Sequence, residues 1–205
     1  MKIFAAVGNH AGFIPACGEL LFTQERRALQ GCWYEIPDSS IIRNGNPFFV
    51  PDFDQRFIAL PSVAVKICKL GKSVAPRFAS RYYDEITLGF SVVAADRLRE
   101  SISHGLPWAP AVAFDGSCML GKFIPVEECG EEFVINAGGD ELKWKLDSAW
   151  RHIDEIISEI SRGCTIKTGD IILPHVSPSG IRLLAGDHIS VKTTDSSNIL
   201  DINIR

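Results

Sequence analysis

Residues 146–161 place Leu146, Ala149, Trp150, Ile153, Ile156, Ile157 and Ile160 at steps of three, one, three, three, one and three. That spacing is a single α-helical stripe, and Gly163 is a natural stop just beyond it. A second helix is expected from Asp96 to His104, closed by Gly105-Leu106-Pro107, and a short one from Arg77 to Tyr83. The rest of the chain reads mostly as strands. Val63 to Cys68 is β-branched and runs into a turn at Leu70-Gly71-Lys72, and Ile86 to Ala94 is apolar enough to lie buried on both faces. Glu132 to Asn136 leads into the turn signal Gly138-Gly139-Asp140. Asp187–Lys192 and Ile199–Ile204 alternate with period two, and the polar Thr194–Asn198 segment between them predicts a hairpin. Met1 to Gly8 reads as a first strand. The sum is a β-rich α+β fold with few helices. No repeat, low-complexity stretch or linker divides it, so residues 1–205 are expected to form one domain.

Composition narrows the class without giving the chemistry. The 205 residues are 46% hydrophobic and 22% charged, as in folded globular proteins. A chain of this length can bury roughly 70% of its unfolded surface without a disulfide or metal staple. Lys and Arg number 21 against 25 Asp and Glu, a formal net charge of −4, and the longest basic run is Arg26-Arg27. Nucleic-acid binding depends on neutralising phosphates, so no nucleic-acid partner is expected. No apolar run approaches the roughly 20 residues of a membrane span, and none has the form of a signal peptide, so no membrane partner is expected. Cys17, Cys32, Cys68, Cys118, Cys129 and Cys164 are scattered, with no C-x-x-C pair. Free thiols and a cytoplasmic location follow as the expectation.

Local motifs give little chemistry. His10, His104, His152, His175 and His188 have no metal-ligand spacing. Asp84-Glu85 and Glu127-Glu128 are adjacent, and adjacent side chains diverge on helix and strand alike. There is no phosphate-binding loop and no G-x-S-x-G elbow. The one suggestive segment is Leu173-Pro174-His175-Val176-Ser177-Pro178-Ser179-Gly180, a loop between strand-like runs, where sites tend to sit. It makes His175 a candidate general base. The plainer reading, a turn-stabilising or exposed histidine, stays open.

Several segments together resemble the fumarylacetoacetate hydrolase superfamily, which includes acylpyruvate hydrolases and 2-hydroxyhepta-2,4-diene-1,7-dioate isomerases. They are Val7-Gly8-Asn9, Asn46-Pro47-Phe48-Phe49 with Pro51-Asp52-Phe53, Val65-Lys66-Ile67 with Leu70-Gly71-Lys72, and Arg81–Ile86 with Leu88-Gly89. Gly105-Leu106-Pro107-Trp108, Ala113-Phe114-Asp115-Gly116-Ser117, Ile166–Ile172 and Gly186-Asp187 complete the set. Their order and spacing carry the resemblance over most of the chain. It implies three β/β/α layers of distorted mixed sheets, usually in a homodimer. It also implies a Mg²⁺ or Mn²⁺ site made by two carboxylates of an E-x-E motif and an Asp, with a His–Glu pair on a lid and substrate held by lysines and a Gly-Thr-Pro loop.

The chain departs from that pattern where the chemistry would be. The E-x-E motif reads Leu60-Pro61-Ser62, and the third ligand position is Ser91. The two family lysines are Ile36 and Val112, and the Gly-Thr-Pro loop has become Pro174–Pro178, including Val176 and Ser177. The lid is not recognisable in 11–25, leaving His10 and Glu19 as remnants of a divergent segment 1–45. A register slip would bring Asp96 toward the third ligand position. Asp38 and Asp115 match family positions outside the triad and read as turn or cap residues. Neutral side chains are poor ligands for Mg²⁺, so no metal and no other cofactor is expected. Two functions compete. One is a catalytically silent homodimer that binds a small molecule or a partner protein. The other is a divergent hydrolase or isomerase of 2-oxo acids, with His175 as base and Ser62, Ser91 or Ser177 beside it.

Overall fold

Two long strands organise the molecule, and both are apolar on both faces. β4 (Phe57–Ile67) and β5 (Tyr83–Ala94) are buried almost throughout and pair antiparallel from Phe57↔Ala94 to Ile67↔Tyr83. Such unbroken burial requires covering layers on either side, and the rest of the chain supplies them. The computed structural model describes residues 1–7, 33–146, 149–174, 176–177 and 180–205, with backbone alone at 149–152.

The larger sheet adds β1 (Lys2–Ala6), β2 (Trp33–Pro37), β3 (Ile41–Arg43), β6 (Cys118–Leu120), β7 (Ile124–Pro125), β10 (Ile171–Leu173) and β11 (Ile181–Arg182). Its order is β2-β1-β10-β4-β5-β6-β3, with β11 on β4 and β7 on β5. The sheet is mixed, because β1–β10 and β3–β6 are parallel while the other pairs are antiparallel. Pro61 sits in the middle of β4, where a missing N–H would normally break a ladder. Its carbonyl accepts the Ser177 N–H at 3.0 Å, so this residue's backbone faces away from β5. It faces a gap between β10 and β11, which pair β4 only at Val65–Lys66 and Ile58–Ala59.

The smaller sheet is antiparallel, in the order β13-β12-β8-β9. β8 (Glu132–Ala137) and β9 (Asp140–Lys145) are joined by Gly138 and Gly139, both at positive φ, as a two-residue hairpin of right-handed twist requires. β12 (His188–Thr193) and β13 (Asn198–Asn203) form the hairpin expected near the end of the chain.

Four helices lie among the described residues: α1 (Pro76–Ala79), α2 (Ala95–His104), α3 (Ala109–Val112) and α4 (Ala149–Gly163). Gly105 closes α2 in the left-handed conformation at φ 65°. The short helix expected over Arg77 to Tyr83 is only four residues long, because Tyr83 already pairs with Ile67 in the sheet.

The two faces of the larger sheet have separate cores. One face packs Phe4, Val65, Leu88, Phe90 and Met119 against the smaller sheet (Phe133, Ile135, Val191, Leu200) and α4 (Ile153, Ile157, Ile160). The other packs Ile3, Ala5, Ile36, Leu60, Val93 and Cys118 against α2, α3 and the segment after β10. The result is β-rich with few helices, a curled mixed sheet backed by a second sheet, as the resemblance implies. Among the described residues no helix is long and apolar enough to cross a membrane.

Candidate functional site

Register puts the positions singled out in the sequence on one face. Leu60 pairs with Ser91 and Ser62 with Gly89, Ser91 pairs with Cys118, and Ile3 and Ala5 of β1 pair with Ile36 and Tyr34 of β2. Period-two geometry points all of these inward on the same side. Ile36, Leu60, Val112 and Val176 are fully buried and belong to a single apolar cluster. The segment after β10 closes over them: the Val176 N–H donates to the Ala6 carbonyl and the Ser177 N–H to the Pro61 carbonyl, both at 3.0 Å. Gly180 lets this segment lie against β4, since a Cβ there would come 2.1 Å from the Ala59 carbonyl oxygen.

The central polar groups of this face are neutral, and Tyr34, Ser62 and Ser91 are already hydrogen-bonded. The Tyr34 hydroxyl lies 2.7 Å from Ser91 Oγ. Tyr34 keeps part of its surface exposed, but its hydroxyl end is enclosed, and that burial holds its pKa well above the ordinary phenol value. Burial also pushes the Cys118 thiol up to about 12, so neither group ionises at neutral pH. Ser62 Oγ donates to the Val63 carbonyl at 2.8 Å. Charged side chains on this face lie toward its ends: Lys66 and Glu85 pair across the strands with Nζ 2.5 Å from Oε2, and the exposed Arg182 sits opposite Ile58.

The acidic positions resolve as framework. Asp96 lies in the first turn of α2, bound by the Arg56 guanidinium, which holds its carboxyl below the usual range. The slip that would have brought it to Ser91 is excluded, because Ser91 is fixed in the β5 register. Asp170 is buried and accepts the Lys2 and Lys167 N–H groups at 2.8 and 2.9 Å. Asp38 and Asp115 are exposed. His188 pairs with Asp201 at 2.9 Å on the surface. His175, His10 and Glu19 lie outside the described residues, as does the segment where a lid was sought.

The sequence reading missed Tyr34 and Cys118. Tyr34 was recoverable, since Ile36 was already a pocket candidate and a residue two positions away in a strand shares its face. Cys118 gave no local signal.

A curled mixed sheet, a second antiparallel sheet behind it and a buried inner face under the β10 segment define a fumarylacetoacetate-hydrolase-like protein. The model of the fumarylacetoacetate (FAA) hydrolase C-terminal family matches residues 3–199, and the chain belongs to that family. It is 28% identical over 166 residues to the mitochondrial oxaloacetate tautomerase of Caenorhabditis elegans, covering 78% of this chain and 77% of that protein. The structure of fumarylpyruvate hydrolase from Pseudomonas aeruginosa in complex with Mn²⁺ and pyruvate superposes with a TM-score of 0.84 at 16% identity, covering 100% of this chain and 89% of that one. The 2-hydroxyhepta-2,4-diene-1,7-dioate isomerase of Mycobacterium marinum gives 0.77 at 19% identity, covering 99% and 73%.

The Mn²⁺ bound by the P. aeruginosa protein, a structural neighbour over the whole chain, corrects the expectation that this chain takes no metal and no other cofactor. The donor set at Leu60, Ser62 and Ser91 does not itself fit such an ion. A hard divalent cation takes charged oxygen ligands, whereas here one position is an alkyl group and the two hydroxyls are bonded to Val63 and Tyr34. Among the described residues no three His, Cys, Asp or Glu side chains gather as a metal-binding group. Any Mn²⁺ held by this chain would need ligands other than these three residues.

Proposed function

We propose that the chain is a catalytically silent member of its family, acting as a homodimeric cytoplasmic protein that binds a small molecule or a partner protein. The supporting observation is the Tyr34–Ser91 hydrogen bond, which occupies the position where the resemblance places a metal carboxylate. Beside it, Ile36, Leu60, Val112 and Val176 pack together where family members would hold lysines, a carboxylate and a polar loop. Activity does not follow from fold alone, and this face offers neither a carboxylate pair nor a free hydroxyl at positions 60, 62 and 91. The test is turnover of acylpyruvates, fumarylpyruvate and oxaloacetate, with and without Mn²⁺. Background rates throughout are expected; turnover above background, or micromolar Mn²⁺ binding by calorimetry that turnover requires, overturns the reading.

A second reading is favoured by the relatives' names. An oxaloacetate tautomerase and a fumarylpyruvate hydrolase solved with Mn²⁺ and pyruvate both point to 2-oxo acids. On this reading the chain is a divergent hydrolase or isomerase of that substrate class, with His175 as general base. Loss of any observed turnover in His175→Ala supports it, and unchanged turnover removes His175 from it.

A further inference from the structure

Residues 55–83 contain six of the chain's 21 Lys and Arg and none of its 25 Asp and Glu. Two of the six are neutralised, Arg56 by Asp96 and Lys66 by Glu85. The other four, Lys69, Lys72, Arg77 and Arg81, are exposed and make no ion pair among the described residues.

The fold gathers these four around α1. Arg77 and Arg81 both stack on the Phe78 ring, with guanidinium carbons 4.8 and 5.1 Å from its centre. The Cys68 N–H donates to the Tyr82 carbonyl at 2.8 Å, which lays the start of the Lys69–Lys72 loop beside Arg81. At the other end of the loop, Lys72 Nζ donates to the Arg162 and Gly163 carbonyls at 3.0 and 2.9 Å, where α4 ends. Val74 and Ala79 pack in the core shared with α4, so this surface lies on the side of the larger sheet away from Leu60 and Val176. Two apolar side chains stand among the charges, Leu70 at 69% exposure and Phe78 at 39%.

Cations crowded on one surface repel each other and draw a counter-charge, and exposed apolar side chains gain when they are covered. A ligand that answers both carries carboxylates around an apolar side chain. A guanidinium takes a carboxylate through two parallel hydrogen bonds, and arginine and aromatic residues dominate the energetics of protein interfaces. A long polyanion such as nucleic acid fits less well, because it would run off the patch onto a chain whose net charge is −4.

We propose that α1 and the Lys69–Lys72 loop dock an acidic peptide segment of a partner protein. Its carboxylates would lie on Arg77 and Arg81, and an apolar side chain of its own against Phe78 and Leu70. The proposal deepens the partner-protein reading and rests on it, adding the surface and the chemistry of the partner. The loop and α1 are already tied down by backbone hydrogen bonds, so little ordering is needed on binding.

The test is fluorescence anisotropy of the full chain with a fluorescein-labelled dodecapeptide of glutamates that has Phe-Leu at its centre. Binding is expected, weakened about tenfold or more in R77E/R81E and about threefold or more in Phe78→Ala. The all-glutamate peptide should bind the wild type about as weakly as the Phe-Leu peptide binds Phe78→Ala. Lys192→Glu, an exposed charge change on β12, should leave binding within about twofold of wild type, since exposed charges far apart are screened. Thermal melts check that each variant is folded. No binding, or binding that R77E/R81E and Phe78→Ala leave unchanged, overturns the docking site. Tighter binding of a twelve-nucleotide oligo-dT or of phosphatidylserine vesicles than of the peptide overturns the assigned chemistry of the partner. These results leave catalytic silence standing, because that is read from turnover, and turnover above background would leave the peptide result standing.

Discussion

The hydroxyl of Tyr34 lies 2.7 Å from the hydroxyl of Ser91, although their strands are separated by β1, β10 and β4. Four inter-strand spacings on a flat sheet come to about 19 Å. A single tyrosine side chain can bridge such a separation only if the sheet curls until β2 faces β5 across the inner side. The hydrogen bond is therefore a direct measure of the curl, and it ties the two sides of the inner face together. It also fixes Ser91, which the family resemblance places at a ligand position.

Tyr34→Phe removes one partner and leaves Ser91 Oγ buried without its bond. A cost of about 1–3 kcal/mol to folding is expected, read from urea unfolding. Ser91→Ala should cost a similar amount. The double variant should lose less than the sum, since no orphaned hydroxyl remains, and a coupling of about 1 kcal/mol is expected from the cycle. Strict additivity would show that the two hydroxyls do not support each other.

Asp170 is a second cross-link, holding β1 where it meets β10. Its carboxylate is buried and accepts the N–H groups of Lys2 and Lys167, with Lys2 Nζ 3.6 Å away. Asp170→Ala leaves both N–H groups without that acceptor and is expected to cost about 2–4 kcal/mol. Asp170→Asn keeps one acceptor and should cost about half as much. Equal losses for the two variants would point to shape rather than hydrogen bonding.

The sequence foretold the elements with strong periodicity or sharp punctuation. The helical stripe of 146–161 became α4, Gly105 closed α2, and the Thr194–Asn198 segment turned the chain between β12 and β13. Short strands escaped it. β3, β6 and β10 have three residues each, too few for a period to show. β9 reads as polar because an edge strand exposes what a central strand buries. The inner face was legible only through the family resemblance: Ile36, Leu60, Val112 and Val176 look locally like any core residues, and only their position gives them meaning. The Tyr34–Ser91 contact spans 57 residues of sequence and depends on sheet curl, which no local pattern encodes.

Gly89 lies opposite Ser62 on the inner face and next to β6. A Cβ at this position would come 2.6 Å from the Met119 carbonyl oxygen and 2.9 Å from Leu120 Cδ2. The first contact is backbone within a paired strand and cannot rotate away. Gly89→Ala is expected to cost about 1–3 kcal/mol by overpacking, measured as a lower urea midpoint with an unchanged denaturant slope. A variant as stable as wild type would mean that β6 is free to shift.

The buried thiol of Cys118 and the half-buried thiol of Cys129 should set an alkaline limit on stability. In the folded chain burial raises Cys118 to about 12 and Cys129 to about 11, whereas an unfolded thiol ionises near about 8.5. Below the unfolded value both states are protonated, and the stability contributed by the buried neutral thiol is fully present. Above it the unfolded chain releases a proton that the folded chain retains, so stability is lost as pH rises through the folded value. The urea midpoint should therefore be level from pH 6 to 8 and fall from about 8.5 toward 12. Cys118→Ala should flatten the part of the slope due to that thiol, leaving the part due to Cys129 and to the half-buried Tyr34 and Tyr83 phenols, also raised by burial. A slope unchanged by the substitution would show that Cys118 is accessible to water in the folded state. Rapid labelling of Cys118 by a thiol reagent at pH 8 would lead to the same conclusion.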